Sequence, residues 1–407
     1  MSSDREQRLL FTNARVYSPT GMWEVGWLLT EGGKIKSLAP GQPPDFPPGQ
    51  VTQTLDATNF NLLPGFIDVH VHGAMSFEAM DANPEGLREM ARFYARHGVT
   101  SFLPTTWTAR REAIASALRV IAGTKGRVAG GATIVGAHLE GPYLNRANAG
   151  AQDPEFIRRV DQEEAREFLD AGIIRRITVA PEFEENHWLI SECSRRGIAV
   201  SAGHTSASYE QMVEAVALGL QHVTHCFNAM GYLNHRQPGT VGAALGLSEI
   251  TCELIADNIH VHPVVMKLLV DVKGPGGVIL ITDAIRWAGR KEGTYHLDHR
   301  EIVVRDGAVR LPDGTLAGST LTMDSALRDI AKATGRSLSE LWPMSSLNAA
   351  RATGISDAKG SLEVGKDADL VLLDDEFGVA MTVVEGEVVH DSVEHHGNRR
   401  FSAKWHA

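Results

Sequence analysis

Short apolar runs alternate with amphipathic stretches through the middle of the chain. The runs read GFIDVHVH (65–72), VTSFLPTT (99–106), ATIVGAHLEG (132–141), RITVAPE (176–182), IAVSAGH (198–204), QHVTHCFN (221–228), TCELIAD (251–257) and GVILITDA (277–284). Each has the length of a strand, and their near-continuous apolar character suits strands covered on both faces. Between them, PEGLREMARFYARHG, REAIASALRVIAG, EEAREFLDAG, NHWLISECSRRG and SYEQMVEAVALG carry helical spacing. Most end at glycine, a common helix stop. Eight strands alternating with helices predict an α/β fold, a (β/α)8 TIM-type barrel across residues 63–355. A doubly wound sheet is the structural rival, but no GxGxxG follows a strand.

The two ends of the chain read differently. LLFTNARVYS, EVGWLLTEGGKIKSLAP and VTQTLDAT near the start, and DADLVLLD and MTVVEGEVVH near the end, are strand-like between turn residues. They predict one small β-sandwich domain assembled from residues 1–62 and 356–392. Residues 289–316 read as β-hairpins inserted before the last barrel helix, and 393–407 as a polar tail.

Candidate chemistry gathers at the carboxyl ends of the runs. Asp68-Val69-His70-Val71-His72 places His70 and His72 on one strand face, a natural pair of metal donors. His138-Leu139-Glu140 repeats that spacing, and later runs end in His204, in Thr224-His225-Cys226, and in Thr282-Asp283. In a barrel these ends converge, so His70, His72, Glu140, His204, His225 and Asp283 are expected to surround one or two divalent ions. Imidazole and carboxylate donors suit zinc, and also iron, manganese or cobalt. Asp283 is the expected proton acceptor and donor of a hydrolysis. His138 is expected to support Glu140 from behind, and His222 and Asp68 to be structural. Trp107 and Trp287, just past strand ends, read as shaping the pocket or, the favoured reading, as packing under loops.

Composition narrows the partners. The net charge of −11 argues against nucleic acid, without excluding a small anion met by a local arginine. The three cysteines, Cys193, Cys226 and Cys252, form no CxxC pair, so neither a disulfide framework nor a cysteine-zinc cluster is expected. No apolar run has the length of a membrane span, and MSSDREQRLL carries charge where a signal peptide needs an apolar core. A cytoplasmic location is the expectation.

The strings PGFIDVHVHG, HLEGPYLN, SAGHTSASYEQ, THCFNAM, ADNIHVHP, ITDAI and GTLAGSTLTM resemble the amidohydrolase superfamily, over roughly residues 10–390. HLEGP with THCFNAM is similar to its sugar-phosphate deacetylase branch. Many superfamily members bridge two metals with a carbamylated lysine on the fourth strand. That strand here reads RITVAP, without lysine, and Glu140 resembles the deacetylase alternative. The resemblance implies Glu140, His204 and His225 as ligands of the principal metal, with His70 and His72 completing a second site. It implies Asp283 as the catalytic acid and base, and Ala151, Gln152, Asn228, Ala229, Ala317, Gly318 and Ser319 as substrate contacts. Arg236 and His260 match phosphate contacts, the arginine reaching across a homodimer interface. Gln152 departs from the histidine usual at its position, and glutamine cannot take a positive charge.

The implied reaction is hydrolysis of the acetamide of N-acetyl-D-glucosamine 6-phosphate to D-glucosamine 6-phosphate and acetate. The alternatives are a related sugar such as N-acetylgalactosamine 6-phosphate, another N-acyl compound, or a metal-free scaffold without activity.

Overall fold

Eight parallel strands surround the middle of the molecule: Phe66–Val71, Val99–Pro104, Ala137–Glu140, Ile174–Val179, Ala199–Ala202, His222–Val223, Thr251–Ile255 and Val278–Ile281. The structure is a computed structural model that describes residues 8–47, 49–297 and 300–392; the expected tail, 393–407, lies outside the described residues. The third to eighth strands pair in sequence order, and a parallel bridge between Thr105 and His138 joins the second to the third. The ring closes where the Asp283 N–H donates to His70 O at 3.0 Å and the His72 N–H donates to Ala284 O at 2.8 Å. Every residue of Phe66–Val71 and Val99–Pro104 is buried, as their apolar runs require.

The five amphipathic stretches form helices Pro84–Ala95, Arg111–Thr124, Gln162–Asp170, Glu184–Arg195 and Tyr209–Leu218. Their limits follow local chemistry. Pro84 starts the first behind Asn83, whose side chain accepts from Glu85 N, and the last runs from a Ser208–Gln211 capping box to Gly219 at φ 114. Leu87, Met90, Ala91 and Tyr94 of the first helix are buried in the main core.

The chain's ends meet in one eight-stranded sheet. Strand Asn61–Pro64 pairs with Leu9–Ser18 on one side and with Leu370–Leu373 on the other. Leu9, Phe11, Leu28, Leu62, Leu370 and Leu372 form its apolar cluster. Asn61–Pro64 is followed at once by the first barrel strand, so this sheet is anchored at the amino end of the ring. The expected hairpins form a four-stranded antiparallel sheet (Gly293–Leu297, Arg300–Arg305, Ala308–Arg310, Leu316–Ser319). A bridge from Ala284 to Ser319 ties it to the end of the eighth strand. Among the described residues, no helix is long and apolar enough to cross a membrane.

Candidate metal centre

Glu140 lies at the centre of the convergent strand ends. His72 Nε2 is 3.2 Å from Glu140 Oε2 and 3.3 Å from Asp283 Oδ1, and His70 Nε2 is 3.5 Å from both Glu140 Oε1 and Asp283 Oδ1. From the other side, His225 Nε2 and His204 Nε2 are 3.1 and 3.3 Å from Glu140 Oε1. Two overlapping donor groups result, His70/His72/Glu140 and Glu140/His204/His225, all buried.

The arrangement fits divalent metal. His70 Nε2 is buried and has no hydrogen-bond partner, although it points among carboxylates. His204 Nε2 and His225 Nε2 lie only 3.2 Å apart. His204 Nδ1 is committed to Asn148 O at 2.8 Å, which turns its other nitrogen to the centre. Buried imidazole nitrogens crowded around one carboxylate, with His70 Nε2 lacking a partner of its own, are donors arranged for an ion.

The backbone is shaped to the same end. His204, His225 and Asp283 have φ of 47, 30 and 48°, in the left-handed region that costs non-glycine residues free energy. Each residue terminates a strand by turning its side chain inward. Burial pushes the Glu140 and Asp283 carboxyls up, but neighbouring histidines, His70 first, hold both below the ordinary carboxylate range, Glu140 far below. Burial likewise opposes charge on His70, yet Glu140, Asp283 and Glu253 hold it well above the ordinary histidine range.

Beneath the donors runs a buried polar belt that sequence reading missed. Glu253, on the seventh strand, lies 3.0 Å from His70 Nδ1 through Oε2, and the same oxygen accepts from the His225 N–H at 3.2 Å. Its Oε1 is 2.8 Å from Arg176 Nε, a contact between charges rather than a directed hydrogen bond. Arg176 and Glu253 are both 0% exposed. Arg176 also donates to Ser201 Oγ at 3.3 Å, and Thr224 donates to that oxygen at 2.6 Å. His138 does not support Glu140 as expected. Its Nε2 meets Thr178 Oγ1 at 2.8 Å, and its ring packs edge-on against His70 at 4.5 Å. Asp68 accepts from Thr282 Oγ1 at 2.5 Å and ties the first strand to the last; burial raises its carboxyl to about 7. His222 is buried away from the donor groups. The signal for Glu253 was a charge inside an apolar run, and for Arg176 a charge at the start of one.

A cavity of about 210 Å³ opens over the donors, lined in part by Ala151, Gln152, Asn228, Ala229, His260 and Gly318. Gln152 is 2% exposed. Its Nε2 donates to Glu140 Oε2 at 2.8 Å, while its Oε1 accepts the Thr108 N–H at 2.7 Å. The amide orientation is thereby set, and Gln152 steadies a metal donor as well as facing the cavity. His260 Nδ1 is bonded to Asp257 Oδ2 at 2.6 Å, leaving its other nitrogen for a ligand. Trp107 stacks on His72, with centroids 3.8 Å apart, and lines the cavity rather than packing under a loop. Trp287 stacks on Tyr295 at 4.2 Å, within the core of the inserted sheet. Ser319 lies behind the loop, its Oγ turned to Thr282 O at 2.5 Å, and Ala317 faces an adjoining space. Arg236 is exposed, bonded to His235 Nε2 at 2.9 Å, and is not brought to the cavity of its own chain.

Known proteins place this geometry in context. The Amidohydrolase family profile matches residues 61–389. N-acetylglucosamine-6-phosphate deacetylase of Bacillus subtilis (strain 168) is 36% identical over 393 residues, covering 95% of this chain and 98% of that protein. N-acetylgalactosamine-6-phosphate deacetylase of Escherichia coli O157:H7 is 38% identical over 329 residues, 80% of this chain and 87% of that one. Among solved structures, a mutant N-acetyl-D-glucosamine-6-phosphate deacetylase from Mycobacterium smegmatis in complex with N-acetyl-D-glucosamine-6-phosphate superposes with a TM-score of 0.85 at 31% identity, covering 94% of this chain and 99% of that one. The chain belongs to the amidohydrolase family and is similar, over most of its length, to the sugar-phosphate deacetylases within it.

Proposed function

We propose that this chain hydrolyses the acetamide of N-acetyl-D-glucosamine 6-phosphate, releasing D-glucosamine 6-phosphate and acetate. The observation that carries the reading is the convergence of His70, His72, His204, His225 and Asp283 on Glu140 beneath a cavity.

Glu140, His204 and His225 would hold one divalent ion, zinc foremost, and His70 and His72 with Glu140 a second. Such an ion supplies Lewis-acid polarisation of the amide carbonyl and lets water ionise near neutral pH. Asp283 takes the proton of the attacking water and returns it to the amine nitrogen as the C–N bond breaks. Its Oδ1 lies 3.3 Å from His72 Nε2 and 3.5 Å from His70 Nε2, beside the donors, where a carboxylate is positioned to act first as a base. Asn228, Ala229 and Gly318, which line the cavity, orient the sugar, with Ala317 and Ser319 shaping the Gly318 turn from behind. Trp107, stacked on His72, shields one side of the donors from water.

His260 and Arg236 would receive the phosphate, the arginine serving the neighbouring subunit of a homodimer. Tyr232 and Leu233, 94% and 55% exposed beside Arg236, support such a contact. Further readings of the same kind are a sandwich-type small domain built by the chain's ends, a barrel spanning 63–355, and a cytoplasmic location.

The test is acetate release from N-acetylglucosamine 6-phosphate and from unphosphorylated N-acetylglucosamine, with metal-replete protein. Strong preference for the phosphorylated sugar supports the reading, and activity on neither refutes it. Gln152 in the cavity and the Escherichia coli relative favour, as a second reading, the galactosamine epimer. Rates on the two epimers under identical conditions decide between them.

A further inference from the structure

A second cavity, of about 310 Å³, adjoins the candidate metal centre. Trp107 and Ala151 line both spaces, so the two share a wall. Met80, Phe156, Ile302 and Leu311 give the second space a largely apolar lining. Its charged groups are Glu78, Asp81, Asp153 and Arg286. The Arg286 guanidinium is already engaged, donating to Glu78 Oε2 and Asp81 Oδ1 at 2.8 Å each. Three carboxylates against one paired guanidinium make this side hostile to a phosphate.

That electrostatic asymmetry orients a bound substrate. Trp107 follows the second strand of the ring, whereas Asn228 and Ala229 follow the sixth and His260 the seventh. In a closed ring of eight, the second and sixth strands face each other across the axis. A phosphate turned away from the acidic side lies toward His260, and an amide held over the donors then directs its acyl group toward Trp107 and Ala151. Past those two residues lies the second cavity, whose apolar lining also includes Ala109.

We infer that the second cavity is an acyl subsite, and that this chain turns over N-acyl glucosamine 6-phosphates with acyl groups longer than acetyl. The inference rests on the deacetylase reading above and extends its substrate class. A methylene entering apolar surroundings gains about fourfold in binding, which offsets most of the cost of placing a longer chain. A site closed at the acetyl methyl would instead reject each added methylene by steric clash.

The test compares kcat/KM for N-acetyl-, N-propanoyl- and N-butanoyl-glucosamine 6-phosphate in the wild-type protein and in two variants that fill the cavity from different segments, Ala109→Phe and Met80→Trp. The expected result is that both longer amides stay within tenfold of the acetyl compound in the wild type. Each filling variant should lower butanoyl turnover at least tenfold with the acetyl rate unchanged. The unchanged acetyl rate reports an intact fold, and two independent sites guard against one misfolding. A drop beyond tenfold for the longer amides in the wild type overturns the inference. So do folded filling variants that fail to discriminate between acetyl and butanoyl. No turnover of any of the three amides would overturn the deacetylase reading itself, a distinguishable failure.

Discussion

Replacing Glu253 by glutamine separates what the buried belt does for stability from what it does for metal. In the wild type one carboxylate serves three groups: Arg176 at 2.8 Å, His70 Nδ1 at 3.0 Å and the His225 N–H at 3.2 Å. All of this lies in the barrel interior, with both members of the ion pair at 0% exposure. Removing one charge of such a pair leaves the other without compensation, at a cost of about 3–5 kcal/mol. Against a total of about 5–15 kcal/mol for a typical domain, that is a large fraction. The metal effect has a separate origin. Glu253 turns His70 so that Nε2 faces Glu140 and Asp283, and losing such support typically weakens metal binding about 10–100-fold.

Urea unfolding of metal-stripped protein measures the first quantity, and competition with a chelator measures the second. Glu253→Gln should fail on both counts. The double variant Arg176→Met/Glu253→Met should recover most of the stability, because apolar side chains of similar size often replace a buried ion pair without loss. It should not recover metal affinity, since methionine leaves His70 Nδ1 without the oxygen acceptor that orients it. A loss below about 1 kcal/mol in the single variant would refute the stability argument. Metal affinity restored in the double variant would show that Glu253 acts only through the fold.

Three further expectations follow from other parts of the molecule. Asp283→Asn should lower kcat by about 10²- to 10⁴-fold while Glu140, His204 and His225 still bind metal, measured by steady-state rates alongside metal analysis; a near-normal kcat excludes Asp283 as the proton carrier. Gln152→Met, similar in shape but unable to hydrogen-bond, should weaken metal binding about tenfold, and chelator competition indistinguishable from wild type would show that the 2.8 Å bond to Glu140 is idle. Lys359 is 7% exposed and pairs with Asp369 at 2.7 Å and Asp367 at 2.9 Å. Burial pulls its pKa down but these carboxylates win and raise it, so its contribution is complete at neutral pH and is lost only as pH rises through that raised value. Asp369 is pushed up by burial, so it binds its proton more tightly folded than unfolded and favours the folded state at lower pH. Lys359→Met removes the main opposing pull on Asp369. Its unfolding free energy should therefore rise more steeply than the wild type's as pH falls from about 8 to about 5, and parallel profiles would refute this linkage.

The donors were legible because their signal is local. HxH on a strand, HLE two residues apart and a histidine or aspartate at a strand end each need only the two-residue period of a strand to be read. The ring brings them together without further information. QHVTHCFN was readable as a strand but yields only His222–Val223, because the run ends where His225 enters the left-handed region to face Glu140. The apolar run and the strand differ in length for a functional reason. Arg176 and Glu253 were illegible for the opposite reason. Glu253 is a single charge in an apolar run and Arg176 is one of two adjacent arginines opening another, and nothing in either run names a partner on a strand three places round the ring. Gln152 and Trp107 belong to loops, where no period applies; Trp107 meets His72 only once the first and second strands pair, and Gln152 turns back on Glu140 from the loop after Glu140's own strand. What periodicity conveys is which face a residue takes. What it cannot convey is which charges that face will meet across a closed barrel, and there the support of the metal donors resides.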